Sequence, residues 1–66
     1  MQITLNGEKI NISDKMTIAN LLTEFALSAQ KVAVELNQEI IPIEDYKLTI
    51  LKENDHIEIV EFVGGG

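Results

Sequence analysis

The chain has no cysteine and no arginine, and it has one proline and one histidine among its 66 residues. Without cysteine there is no disulfide, no zinc–thiolate site and no thiol nucleophile. With no such staple, the packing of apolar side chains alone must hold the fold. The five lysines are dispersed at Lys9, Lys15, Lys31, Lys47 and Lys52, so the clustered positive charge that nucleic acid requires is missing. Net charge is −6, a balance that keeps a small protein soluble and can steer it toward a basic partner. The segment Met1–Leu5 has neither a charged n-region nor a long apolar run, so no signal peptide is expected. No apolar run approaches the length of a membrane span. The expected location is therefore cytoplasmic, with no membrane and no nucleic-acid partner.

What is present is enough for one small domain. Of the residues, 45% are hydrophobic, mostly Ile, Leu and Val, which supports a core despite the short chain. Asn6-Gly7 is a strong hairpin signal, because a type I′ turn needs positive φ at both central positions. A two-residue turn there pairs Leu5 with Glu8, Ile3 with Ile10 and Met1 with Ile12. Ile18, Leu21, Leu22 and Phe25 fall at helical spacing and predict a helix over residues 17–27 that stops near Ser28, with Phe25 in the core. Thr17 is the expected N-cap, and Asn20 in place of Glu or Gln argues against a reciprocal capping box. Val32–Leu36 and Glu39–Ile41 read as strands around an Asn37-Gln38 turn, ended by Pro42. Residues 43–47 are expected to be irregular, with room for a helical turn, followed by a tight turn at 52–55 and a last strand from His56 to Val63. One helix covering one face of a sheet makes the class α+β, and pairing the last strand with the first puts both at the sheet centre.

The run Ile57-Glu58-Ile59-Val60-Glu61-Phe62-Val63 is followed by Gly64-Gly65-Gly66. A glycine triplet buries no side chain and is entropically expensive to order, so it adds nothing to a core. It does make a thin cable able to thread a narrow enzyme cleft. Hence residues 1–63 are expected to be the domain and 64–66 a flexible tail, with Gly64 and Gly65 threading and Gly66 carrying the working carboxylate. By parity, if Ile57 and Ile59 face the helix, then Glu58, Val60 and Phe62 face outward. Val60 and Phe62 are thus the candidate docking residues for a partner.

Four stretches make the chain resemble a known family. They are Ile3-Thr4-Leu5-Asn6-Gly7-Glu8, Thr17-Ile18-Ala19-Asn20-Leu21-Leu22, Val32-Ala33-Val34-Glu35-Leu36-Asn37, and Asp55 through Val60 running on to the glycine triplet. In these it resembles the bacterial sulfur carriers of thiamine biosynthesis, which are ubiquitin-like β-grasp proteins with a C-terminal Gly-Gly. Asn54 and Gln38 depart from that pattern, standing at turn positions where the family commonly has glycine. The resemblance implies a mixed sheet of four to five strands on one helix. It also implies a carrier that is not itself an enzyme and binds no cofactor. An E1-like adenylyltransferase would use ATP to adenylate the carboxylate of Gly66. A sulfur donor such as a cysteine desulfurase would convert it to a thiocarboxylate, and thiazole synthase would take the sulfur.

Two other uses share the activation chemistry: a molybdopterin-type sulfur carrier, and a ubiquitin-like modifier joined to lysines of other proteins. An inert interaction module is a further alternative. Elsewhere little chemistry is on offer. His56 beside Asp55 reads as a solvated turn residue because no nucleophile is placed near it. Asp14, Glu44 and Asp45 lack metal-ligand spacing. Ser13, Thr17 and Ser28 suit helix ends and turns.

Overall fold

The computed structural model of the chain describes residues 1–62. Strands β1 (Gln2–Leu5) and β2 (Glu8–Asn11) form a hairpin, and helix α1 (Ile18–Glu24) follows. Strands β3 (Val32–Leu36) and β4 (Glu39–Ile41) form a second hairpin, and β5 (His56–Glu61) comes last. Single 3-10 turns occupy Ala29–Lys31 and Ile43–Asp45. The sheet order is β2-β1-β5-β3-β4. β1 and β5 run parallel, and the other neighbouring pairs are antiparallel. This is the expected α+β, β-grasp arrangement, with β5 in the central position. The expectations for Val63 and for the tail at Gly64, Gly65 and Gly66 lie outside the described residues.

The first hairpin takes the register its turn chemistry dictates: Ile3 lies opposite Ile10, and Leu5 opposite Glu8. Asn6 and Gly7 both have positive φ, at 49° and 84°. The second hairpin repeats this, with Asn37 at 49° and Gln38 at 71°. Alternation then sorts the side chains. Ile3 and Leu5, Val32 and Val34, and Ile57 and Ile59 turn inward onto Ile18, Leu21 and Leu22 of α1. Met16, Tyr46 and Leu51 complete the core. Burial pushes the Tyr46 phenol above its ordinary pKa. Leu21 is fully buried, so its truncation to Ala would cost about 2–5 kcal/mol. A chain of this length has roughly 3–10 kcal/mol of net stability.

Helix α1 departs from the sequence reading at both ends. A capping box is present although Asn20 is neither Glu nor Gln. The Asn20 N–H donates to Thr17 Oγ1 at 3.0 Å, and the Thr17 N–H donates to Asn20 Oδ1 at 3.0 Å. The shorter carboxamide reaches because an amide oxygen at the third helical position needs only to meet the cap N–H. At the other end the helix closes at Glu24, well short of Ser28. Ala26 adopts φ 58°, its N–H bonds Thr23 O, and the Leu27 N–H bonds Leu22 O at 2.8 Å. These are the paired bonds of a Schellman motif. Phe25 becomes the C-cap and is 45% exposed, so its expected place in the core is wrong. The left-handed turn at Ala26 ends the helical stripe one residue after Phe25 and leaves the ring off the buried face.

Candidate functional site

The strand that precedes the glycine triplet is the best-anchored strand of the sheet. β5 pairs with β3 over five positions, from Leu36↔Ile57 to Val32↔Glu61. Past the last of these, the Phe62 N–H donates to Lys31 O at 2.8 Å. On its other side β5 meets β1 at Thr4↔His56 and Leu5↔Ile57. That ladder is extended by the Asn6 N–H, which bonds Ile57 O at 2.9 Å. Beyond it the first hairpin turns away.

The Asn6 side chain supplies one more rung. Its Oδ1 accepts from the Ile59 N–H at 2.8 Å, and its Nδ2 donates to Ile59 O at 3.2 Å. At the opposite end of β5, Asn37 Oδ1 accepts from the His56 N–H at 2.9 Å, and Asn37 Nδ2 donates to Asp55 Oδ1 at 3.0 Å. Two turn asparagines thus clip the central strand, one from each hairpin. Sequence reasoning took both as turn formers only. A signal was available: Leu5-Asn6-Gly7-Glu8 and Leu36-Asn37-Gln38-Glu39 are the same pattern, once in each hairpin.

The outward parity of the last strand holds. Val60 is 61% exposed and Phe62 is 57% exposed, while Ile57 and Ile59 are buried. Across β3 and β4 the same face carries Ala33, opposite Val60, and Ile40, opposite Glu35. Ile40 is 72% exposed and was not singled out from sequence. The patch is therefore apolar where β5 ends. Further back, Glu35 and Glu58 stand directly opposite each other, a like-charge pairing that weakens a sheet. At the His56 end an open hollow is lined by Thr4, Lys9, Glu35, His56 and Glu58. Along β5, at ~3.3 Å per residue, that hollow begins about 13 Å from Phe62 at Glu58 and reaches about 20 Å at His56.

The other singled-out residues have local work. The Asp55 carboxylate accepts from the Lys52 N–H at 2.7 Å as well as from Asn37. It is engaged in the turn at positive-φ Asn54, beside the exposed His56. Asp14 lies 3.6 Å from the amino group of Met1. Among the described residues no group of three or more His, Cys, Asp or Glu side chains is placed to hold a metal. Ser28 hydrogen-bonds Gln30 at the start of a 3-10 turn.

A mixed sheet clasping one helix, with an apolar rim just before a glycine triplet, is a distinctive combination, and comparison with known proteins assigns it. The ThiS family model matches residues 2–66, from β1 through the glycines. The chain belongs to the ThiS family. The sulfur carrier protein ThiS of Bacillus subtilis is 45% identical over 65 residues, covering 97% of this chain and 98% of that protein. A thiazole synthase of Paramagnetospirillum magneticum is 44% identical over the whole of this chain. The chain spans about one fifth of the length of that protein and of a second thiazole synthase, from Magnetococcus marinus. Among solved structures, the crystal structure of the thiamine biosynthesis protein ThiS from Geobacter metallireducens matches with a TM-score of 0.85 and 32% identity, covering all of both chains. No helix among the described residues of this ThiS-family chain is long and apolar enough to cross a membrane.

Proposed function

We propose that this ThiS-family protein is a sulfur carrier of thiamine biosynthesis, acted upon by other enzymes and not itself a catalyst. The observation that carries this reading is the continuity of the family match from the β-grasp core to Gly66, through the strand whose outer face exposes Val60 and Phe62. A carboxylate at neutral pH is a poor electrophile. An E1-like adenylyltransferase uses ATP to join AMP to the Gly66 carboxylate and releases pyrophosphate. The terminal sulfur of a persulfide, supplied by a donor such as a cysteine desulfurase, then displaces AMP to give an acyl disulfide, and a partner thiol attacks the donor-side sulfur, releasing the thiocarboxylate and leaving a disulfide on the partner. The carried sulfur is itself a nucleophile, and thiazole synthase takes it up. Gly64 and Gly65 let the backbone thread each partner's cleft, since no Cβ obstructs close approach. Val60 and Phe62 dock the partners beside that cleft. ATP belongs to the partner enzyme, and the protein works in the cytoplasm. The two relatives named thiazole synthase support that enzyme as the sulfur acceptor, because each contains a segment similar to the whole of this chain.

The test is an intact mass after incubation with ATP, an E1-like enzyme of the thiamine pathway and a sulfur donor. Replacement of one oxygen by sulfur, lost when Gly66 is deleted, is expected. An unchanged mass in a mixture that charges another ThiS-family carrier would overturn the reading.

A further inference from the structure

We infer that Asn6 is a positioning residue for presentation of the docking rim: its carboxamide clips β5 at Ile59 and thereby holds Val60 and Phe62 in one trajectory. The functional half of this holds only if the tail is the reactive segment, as proposed above.

The backbone ladder between β1 and β5 ends at the bond from the Asn6 N–H to Ile57 O. The hairpin must reverse at Asn6-Gly7, so the sequence has no further β1 residue to offer. Without the side chain, β5 from Ile59 onward would be paired on its β3 side alone. The Asn6 carboxamide presents an acceptor and a donor with the sense of a peptide group, and it meets both polar groups of Ile59 at 2.8 and 3.2 Å. It acts as one extra strand residue without extending the strand. Phe62 lies about 10 Å further on, at ~3.3 Å per residue, so fraying that begins at Ile59 carries the rim with it. A partner that needs the strand in place then binds only the ordered fraction, and its apparent affinity falls in proportion.

The turn and the clip are separable. Asn6→Gly keeps the positive φ that the I′ turn requires and removes both side-chain bonds. Loss of a single rung would speed amide exchange at Ile59 only. Loss of the trajectory also speeds exchange at Phe62, whose N–H is bonded on the far side of the strand to Lys31. Asn37→Gly is the matched control, since it releases the His56 end and leaves the exit end clipped.

The experiment combines NMR amide exchange with adenylation kinetics on the full chain, using an E1-like thiamine enzyme and ATP. For Asn6→Gly, Phe62 protection should fall to about twofold or less, leaving the strand end ordered about half of the time or less, and KM for the carrier should rise by the inverse of that ordered fraction, about twofold or more, while kcat stays within about twofold. Asn37→Gly should leave Phe62 exchange and KM near the wild type. Phe62 exchange unchanged in Asn6→Gly would overturn the clip. Faster exchange with an unchanged KM would overturn its role in presentation. A wild-type chain that is never adenylated would sink the proposed function and the presentation role together, while the exchange data would still report whether Asn6 holds the strand.

Discussion

Gln38 and Gly7 occupy the same position in two equivalent hairpins, and the chain therefore contains its own control for backbone strain. Each follows an asparagine at φ 49°, and each takes positive φ, 71° for Gln38 and 84° for Gly7. A residue with a Cβ in the left-handed region is strained by about 1–2 kcal/mol, whereas glycine loses roughly 0.5–1 kcal/mol more than alanine in ordering entropy. Gln38→Gly should therefore stabilise the fold by about 0.5–1 kcal/mol, which for a chain of this size raises Tm by roughly 2–8 °C. The reverse change, Gly7→Gln, should destabilise by a similar amount. The added Cβ meets no atom within 4 Å, so backbone strain is the whole of the penalty at that step. The assay is urea and thermal unfolding of both variants and of the double swap. The m-value should be unchanged, since neither turn exposes core surface, and the double swap should return close to the wild type. If both single variants shift stability in the same direction, strain at positive φ is not what distinguishes these turns.

Three further outcomes concern the exit of the chain and the face around it. Gly65→Val should leave Tm unchanged and abolish charging with sulfur, checked by intact mass; charging at the normal rate would show that no narrow cleft is threaded. Phe62→Ala, which removes an exposed ring, should leave the fold intact and weaken docking by at least about 1 kcal/mol, roughly fivefold in KM for adenylation, if Phe62 is an anchor of the interface. Glu58→Lys should replace a like-charge pair with an opposite-charge pair across from Glu35, raising stability by about 0.2–1 kcal/mol. That gain should shrink at high salt, and thermal unfolding at two ionic strengths measures it.

What the sequence revealed and what it withheld divide along a physical line. Both hairpins, the register of the first and the inward parity of β5 were legible, because turn chemistry and alternation of side chains are local and agree with each other. The outward placement of Val60 and Phe62 followed from the same parity. The end of α1 was not legible. Alanine is the best helix former, and nothing nearby marks Ala26 as the residue that reverses the backbone; its left-handed conformation is imposed by the tertiary path toward β3. Phe25 was misplaced for that reason alone. The capping box was missed because the rule was read by residue type, when the geometry asks only for an amide or carboxylate oxygen within reach. The asparagine clips were missed because their bonds span 53 and 19 residues of sequence, and no local rule sees them. Ile40 was overlooked because the register of the second hairpin, which sets it opposite Glu35 on the outer face, was not read from the sequence.

The two clips also bear on how so small a carrier can be both marginally stable and well aimed. A chain of this size has no surplus core with which to brace its last strand. It braces that strand with hairpins on both sides and fills the rung that β1 cannot reach with a side-chain amide. The stabilisation is modest, about 0.5–1.5 kcal/mol for each hydrogen bond, but it falls at Ile59, just before the exposed Val60 and Phe62 proposed to dock a partner. Under the proposed function, bracing placed there acts on affinity as well as on global stability. If the proposed function holds, substitutions in the helix and core should have little effect on transfer so long as the sheet stays formed. A change at the turn of the first hairpin is felt at the far end of the last strand. That separation is measurable: core substitutions that leave the sheet formed should move Tm and leave KM alone, whereas loss of the Asn6 amide should lower Tm and raise KM together.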